Sequence, residues 1–129
     1  RALELSPDLG EAWIARGAQL EWVQDFAAAE DAYVRGLELA PGYATAHQWL
    51  GEFYQDQLGE MDKALPLLER ATVLDPLSPI IRKEYATGLA AVQRVDEAGR
   101  DLDQLLQTNP GFGPGHEQLA LLRPPSRRE

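Results

Sequence analysis

Proline recurs at Pro7, Pro41, Pro76 and Pro110, at intervals of 34, 35 and 34 residues. The stretches before these prolines are alike: RALELSP at 1–7, RGLELAP at 35–41, RATVLDP at 70–76 and QLLQTNP at 104–110. Each reads as a helix end, because proline cannot donate the next backbone hydrogen bond. A fixed period of this length marks stacked supersecondary units, none of which can bury its own apolar face alone. Nothing in the chain alternates as a strand does, so sheet-based folds are set aside.

Each interval holds two helical stretches. In the first, Ala12, Trp13, Leu20 and Val23 lie at helical spacing, a break follows at Gln24-Asp25, and Phe26, Ala29, Tyr33 and Leu37 resume the period. Similar breaks fall at Gly59 and at Gln93-Arg94. The predicted helices are 9–23, 26–39, 43–58, 61–74, 79–92, 95–108 and a short 115–122. Asp8, with Glu11 three residues on, has capping-box spacing. Asp25 and Ser78-Pro79 are further start signals, and Gly42 is a weaker one. The expectation is an all-α solenoid of antiparallel helix pairs, about seven helices in all. As a single domain it divides into the end of a preceding unit (1–7), three units (8–41, 42–76 and 77–110), a capping helix (111–122) and a polar tail (123–129).

Composition removes several functions. The 129 residues carry 12 Lys+Arg against 21 Asp+Glu, a formal charge of −9. Nucleic-acid binding needs clustered cations and is not expected. No apolar run is long enough to span a bilayer. Cysteine is absent, which excludes disulfides, thiolate metal sites and Cys nucleophiles. The two histidines, His47 and His116, lie far apart and form no metal-ligand pair, and no Gly-x-Ser-x-Gly elbow occurs. His47 reads as a solvated or hydrogen-bonded residue of the repeat. Carboxylates at Glu30-Asp31, Glu60/Asp62, Asp96-Glu97 and Asp101/Asp103 fall at helix starts and on polar faces, where solvation and the helix dipole account for them. The glycines of 111–115 follow no strand and precede no Lys-Ser/Thr, so they make a turn and not a phosphate cradle. No catalytic residue, metal site or cofactor is therefore assigned.

The pattern resembles the tetratricopeptide repeat over residues 1 to 122. The first unit matches through Trp13, Gly17, Leu20, Ala29, Tyr33, Gly36 and Pro41. The second matches through Leu50, Gly51, Tyr54, Ala64, Leu68, Ala71 and Pro76, and the third through Tyr85, Ala86, Leu89, Ala98, Leu102 and Pro110. Gly17, Gly51 and Ala86, and likewise Ala29, Ala64 and Ala98, fall where helices approach closely. Arg16, His47, Arg82 and Leu105 depart from the pattern. The second unit also carries one extra residue between Tyr54 and Gly59, expected to lengthen the helix or bulge its turn. A buried Trp13 would make Trp13→Ala cost about 3–5 kcal/mol.

The resemblance implies that the first helices of the units line a concave groove. Its positions fall on Glu11, Ile14, Ala18, Glu21 and Trp22, on Thr45, Gln48, Trp49 and Glu52, and on Ile80, Lys83, Glu84 and Thr87. Gln55 and Asp56 follow less securely, because of the insertion. The family's carboxylate clamp needs Lys, Asn and Arg, but Ile14, Ala18, Trp49, Ile80 and Glu84 stand here instead. The implied role is a non-catalytic module that binds a protein or peptide with apolar and basic residues. Trp22 and Trp49 are the candidate anchors, whereas Tyr33, Tyr54, Tyr85, Phe26 and Phe53 read as core. Self-association as a homo-oligomer through the end face around Leu3 and Leu5 is the alternative. A looser similarity, carried by Tyr43–Trp49 and Leu74–Ile81, is to repeat arrays of multidomain bacterial signalling proteins. That similarity implies the C-terminal, ligand- or partner-sensing portion of a larger regulatory chain. A cytoplasmic location is favoured, although a cysteine-free composition fits either side of a bacterial inner membrane.

Overall fold

A computed structural model describes residues 7–123. Residues 1–6 of the predicted end of a preceding unit, with Leu3 and Leu5, and residues 124–129 of the tail lie outside them. Among the described residues there are seven α-helices and no strand: α1 (Pro7–Trp22), α2 (Phe26–Leu39), α3 (Ala44–Phe53), α4 (Met61–Leu74), α5 (Pro79–Ala91), α6 (Val95–Thr108) and α7 (Gly113–Leu122). A π-helical turn, Tyr54–Leu58, extends α3. The bounds follow the periodicity with small differences. The first helix begins at Pro7, so Asp8 lies in its first turn, beside the dipole, and is not its cap. Tyr43, not Gly42, precedes α3. Asp25 and Ser78 do cap α2 and α5, accepting from the amides of Ala28 and Ile81 at 3.4 and 3.3 Å.

The helices pack as antiparallel pairs, α1 on α2, α3 on α4 and α5 on α6, with α7 closing against α6 and α5. Small residues set the approach within pairs. A Cβ on Gly17 would come within 2.6 Å of the Tyr33 ring, and one on Gly51 within 2.9 Å of Leu68. Ala29, Ala64, Ala86 and Ala98 are fully buried, as the pattern requires. Trp13 departs from it. The indole is half-buried, with the Arg35 guanidinium 5.5 Å from its centroid, so its truncation costs less than the range for a buried tryptophan.

The turn between the helices of a pair has a common design. Gln24, Gly59 and Gln93 all take positive φ, 65°, 66° and 70°. In the outer two pairs the turn closes with Asp25 N–H on Leu20 O and Arg94 N–H on Leu89 O, each five residues back. In the middle pair Glu60 N–H reaches Tyr54 O, six residues back. The extra residue of the second unit is thus absorbed as a wider helical turn, and α4 keeps its place. The histidines also share a device. His47 Nε2–H donates to Pro41 O at 2.8 Å and His116 Nε2–H to Pro110 O at 2.7 Å, both six residues back.

Candidate functional site

The first helices of the pairs touch in succession, α1 to α3 and α3 to α5, while each second helix packs on the first helix of the next pair. One face of the array is therefore built by α1, α3 and α5. On it lies a depression of about 210 Å³, lined by Ala18 and Glu21 of α1, Tyr33 of α2, Trp49 and Glu52 of α3, and Asp56 of the π turn. A second depression, about 400 Å³, shares Ala18 and Glu21 and adds Trp22, Gln24, Phe26 and Gln57. A larger hollow of about 530 Å³, which includes Trp13, Arg35 and Glu38, is built by α1 and α2 alone and belongs to another surface.

The carboxylates of this face are held in place by neutral donors. Tyr33 Oη donates to Glu21 Oε1 at 2.7 Å, and Gln57 Nε2 donates to Glu21 Oε2 at 2.9 Å. Gln48 Nε2 donates to Glu52 Oε2 at 2.8 Å. These bonds orient the acids without cancelling their charge. Burial, and then the charges of Glu84 and Asp56, push the Glu52 carboxyl up to about 7, against the lowering effects of Gln48 and Lys83. Burial and Glu84 likewise raise Asp56, despite its bond from Gln55. The Tyr33 hydroxyl is raised by burial and by its bond to Glu21. Lys83, the cation acting on this cluster, is already paired with Glu84 at 2.9 Å.

Of the residues assigned to the groove from sequence, Ala18, Glu21, Trp49 and Glu52 meet in the smaller depression, and Trp22 borders the larger. Gln48, Lys83 and Glu84 adjoin through Glu52. Glu11, Thr45, Ile80 and Thr87 line neither depression; Thr87 Oγ1 donates to Lys83 O within α5. Ile14 is corrected. It is 1% exposed, and a Cβ on Gly36 would meet its Cδ1 at 2.6 Å, so it is a core residue between α1 and α2. Its place four residues after Gly10 and three before Gly17, both turned to α2, puts it on that stripe. Gln57 was not assigned to the groove. It reaches Glu21 only because the π turn carries it there. Tyr33, read as core, is indeed buried but also supplies the wall of the depression.

Among the described residues no cluster of three or more His, Asp or Glu side chains is placed to hold a metal ion. No helix among them is long and apolar enough to cross a membrane.

No family model matches the chain. A stretch of 64 residues, half of the chain, is 34% identical to the TPR repeat-containing thioredoxin TTL4 of Arabidopsis thaliana, and spans 9% of that protein. The first TPR of Spaghetti (RPAP3), bound to the HSP90 peptide SRMEEVD, superposes with a TM-score of 0.84 at 16% identity, covering 93% of this chain and 94% of that one. An O-GlcNAc transferase mutant of Thermobaculum terrenum gives 0.76 at 26% identity, over 88% of this chain and 22% of that one. At such identities the likeness is one of fold.

Proposed function

From a chain that folds as a tetratricopeptide-repeat solenoid, we propose a non-catalytic protein–protein interaction module that holds a peptide or partner helix along the face of α1, α3 and α5. One observation carries this reading: Ala18, Glu21, Trp49 and Glu52, from two successive first helices, meet around one open depression. A partly exposed indole beside fixed hydrogen-bonding groups is the arrangement that anchors recognition energy in interfaces. The RPAP3 domain of the same fold holds a peptide, which supports the role in kind. The chemistry of the ligand differs. SRMEEVD is an acidic peptide, whereas the face here carries Glu21, Glu52, Asp56 and Glu84. A segment with basic and apolar residues suits it better, by charge complementarity.

The module acts as the partner-binding part of a longer protein. Its matches to TTL4 and to the transferase each span a small share of those chains. The test is a phage-displayed peptide library selected on the domain, followed by titration calorimetry of the best peptide. Trp49→Ala combined with Trp22→Ala is expected to weaken binding at least tenfold, on the order of 1.4 kcal/mol or more, with helicity unchanged. Unchanged affinity refutes the groove assignment.

A further inference from the structure

At about 210 Å³ the smaller depression falls short of the roughly 300–1,000 Å³ of pockets that enclose a compact ligand, so it suits one protruding side chain. Its walls are of two kinds. Trp49 and Ala18 offer apolar surface, and Glu21, Glu52 and Asp56 offer carboxylate oxygens from α1, α3 and the π turn. Every element around Glu52 adds to the charge or leaves it unchanged, with one exception. Glu21 lines the same depression from α1 and the neutral Tyr33 from α2, while Gln48 from α3, Asp56 from the π turn and Glu84 from α5 act on Glu52; among the described residues Lys83 is the cation that acts on it, and it is engaged by Glu84. The bonds that fix Glu21 and Glu52 come from neutral donors, so acceptor capacity remains and no donor cation offsets either charge once the carboxyl is ionised.

A cation is the complement of such a place, and its type follows from the residues that line it. No cluster among the described residues suits a metal ion. An organic cation on a flexible stem can lie against the indole and reach carboxylates on two helices. A compact ammonium with three divergent donors matches acceptors arriving from separate elements, whereas a guanidinium fork matches one carboxylate held flat. Resting on the groove reading above, we propose that this depression is a subsite for one lysine side chain of the bound segment. The stem lies on Trp49 and Ala18, and the ammonium sits among Glu21, Glu52 and Asp56. Because burial pushes the Glu52 carboxyl up to about 7, the carboxylate form that the ammonium needs is populated as pH rises through that region, and binding strengthens with it.

The test uses blocked lysine (N-acetyl-lysine methylamide) as probe, with the indole N–H resonance of Trp49 as readout. Blocked norleucine, blocked arginine and calcium chloride are the comparison titrants. A saturable shift with lysine, stronger than with arginine and absent with norleucine, is expected. Lysine affinity should rise from about pH 6 to about pH 8. Glu52→Gln, with its far-UV circular dichroism checked, should lower that affinity roughly tenfold and remove the pH dependence. Asp56→Asn, at the exposed rim, is the second variant should Glu52→Gln lose its fold. An equal response to norleucine, saturation by calcium below the lysine concentration, or no saturable shift at the solubility limit each overturns the subsite. The groove reading survives those results if the selected peptide still needs Trp49 and Trp22.

Discussion

Two cores of unlike chemistry adjoin along this array. The one between α1 and α4 is aromatic. Phe53 is fully buried, with ring centroids of Phe26, Tyr33 and Tyr54 at 5.9, 5.7 and 5.8 Å, and Ile14 and Leu50 fill the remainder. The one between α5 and α7 has an aliphatic centre, Leu89, Leu102 and Leu105 around Ala86 and Ala98, with Tyr85 and Phe112 only at its edge. The difference bears on function. Aromatic residues with hydroxyls can fill a core and still reach out of it. Tyr33 does so to Glu21, and Tyr54 donates to Glu30 at 2.7 Å. The aromatic core thereby fixes side chains on the surface above it. Over the aliphatic core the ion pairs Arg94–Glu97 and Arg123–Asp103 are exposed and tie surface groups to one another, and the bonds that reach the core, from Thr108 and Asn109, end on the backbone carbonyl of Leu105.

The sharpest way to break this comparison is to truncate each core at its centre. Phe53→Ala is expected to cost about 3–5 kcal/mol and Leu102→Ala about 2–5, read from urea unfolding. Only the first should also weaken the selected peptide, because helix-repeat arrays couple chiefly to nearest neighbours. Equal loss of binding in both variants would erase the distinction. A smaller effect follows from Gly17→Ala. The new methyl group meets the Tyr33 ring, so overpacking of about 1–3 kcal/mol is expected, with peptide affinity lowered as Tyr33 shifts against Glu21. Gly42→Ala, where nothing lies within 4 Å, should stay within about 0.5 kcal/mol and serves as the control.

The smallest effect is a pH dependence centred on Glu52 on the aromatic side, where burial raises the carboxyl further than it raises Asp101 of α6. In the folded chain Glu52 keeps its proton to about 7, against an ordinary 4.5. Between these values the folded state binds more protons than the unfolded one, so stability falls as pH rises through the window. Thermal unfolding should show a Tm lower by a few degrees at the alkaline end. Glu52→Gln should flatten that slope, and a slope that persists in the variant would assign it to other groups.

The helices were legible because periodicity, prolines and small residues agree at every unit. Gly17 and Gly51 announce close approaches that the packing then shows. The site was legible in part. Glu21, Trp49 and Glu52 follow from repeat phase, since corresponding positions of stacked units share a face. Ile14 was misplaced because the groove stripe and the α2-facing stripe run side by side on α1, and one residue of phase separates them. Gln57 lay beyond reach for a different reason. Its contact with Glu21 spans 36 residues and depends on how one surplus residue is wound into the turn before α4. Side-chain hydrogen bonds across that distance leave no periodic trace.

That wound-in residue has a consequence for how such arrays diversify. A single-codon insertion would ordinarily rotate everything downstream by about 100° of helix. Here the widened turn confines the change to one spot, and the Gly59 bend hands the chain on in the same register as its neighbours. Surfaces built this way can gain a new side chain at one locus, as Gln57 and Asp56 illustrate, while the spacing of the scaffold is kept.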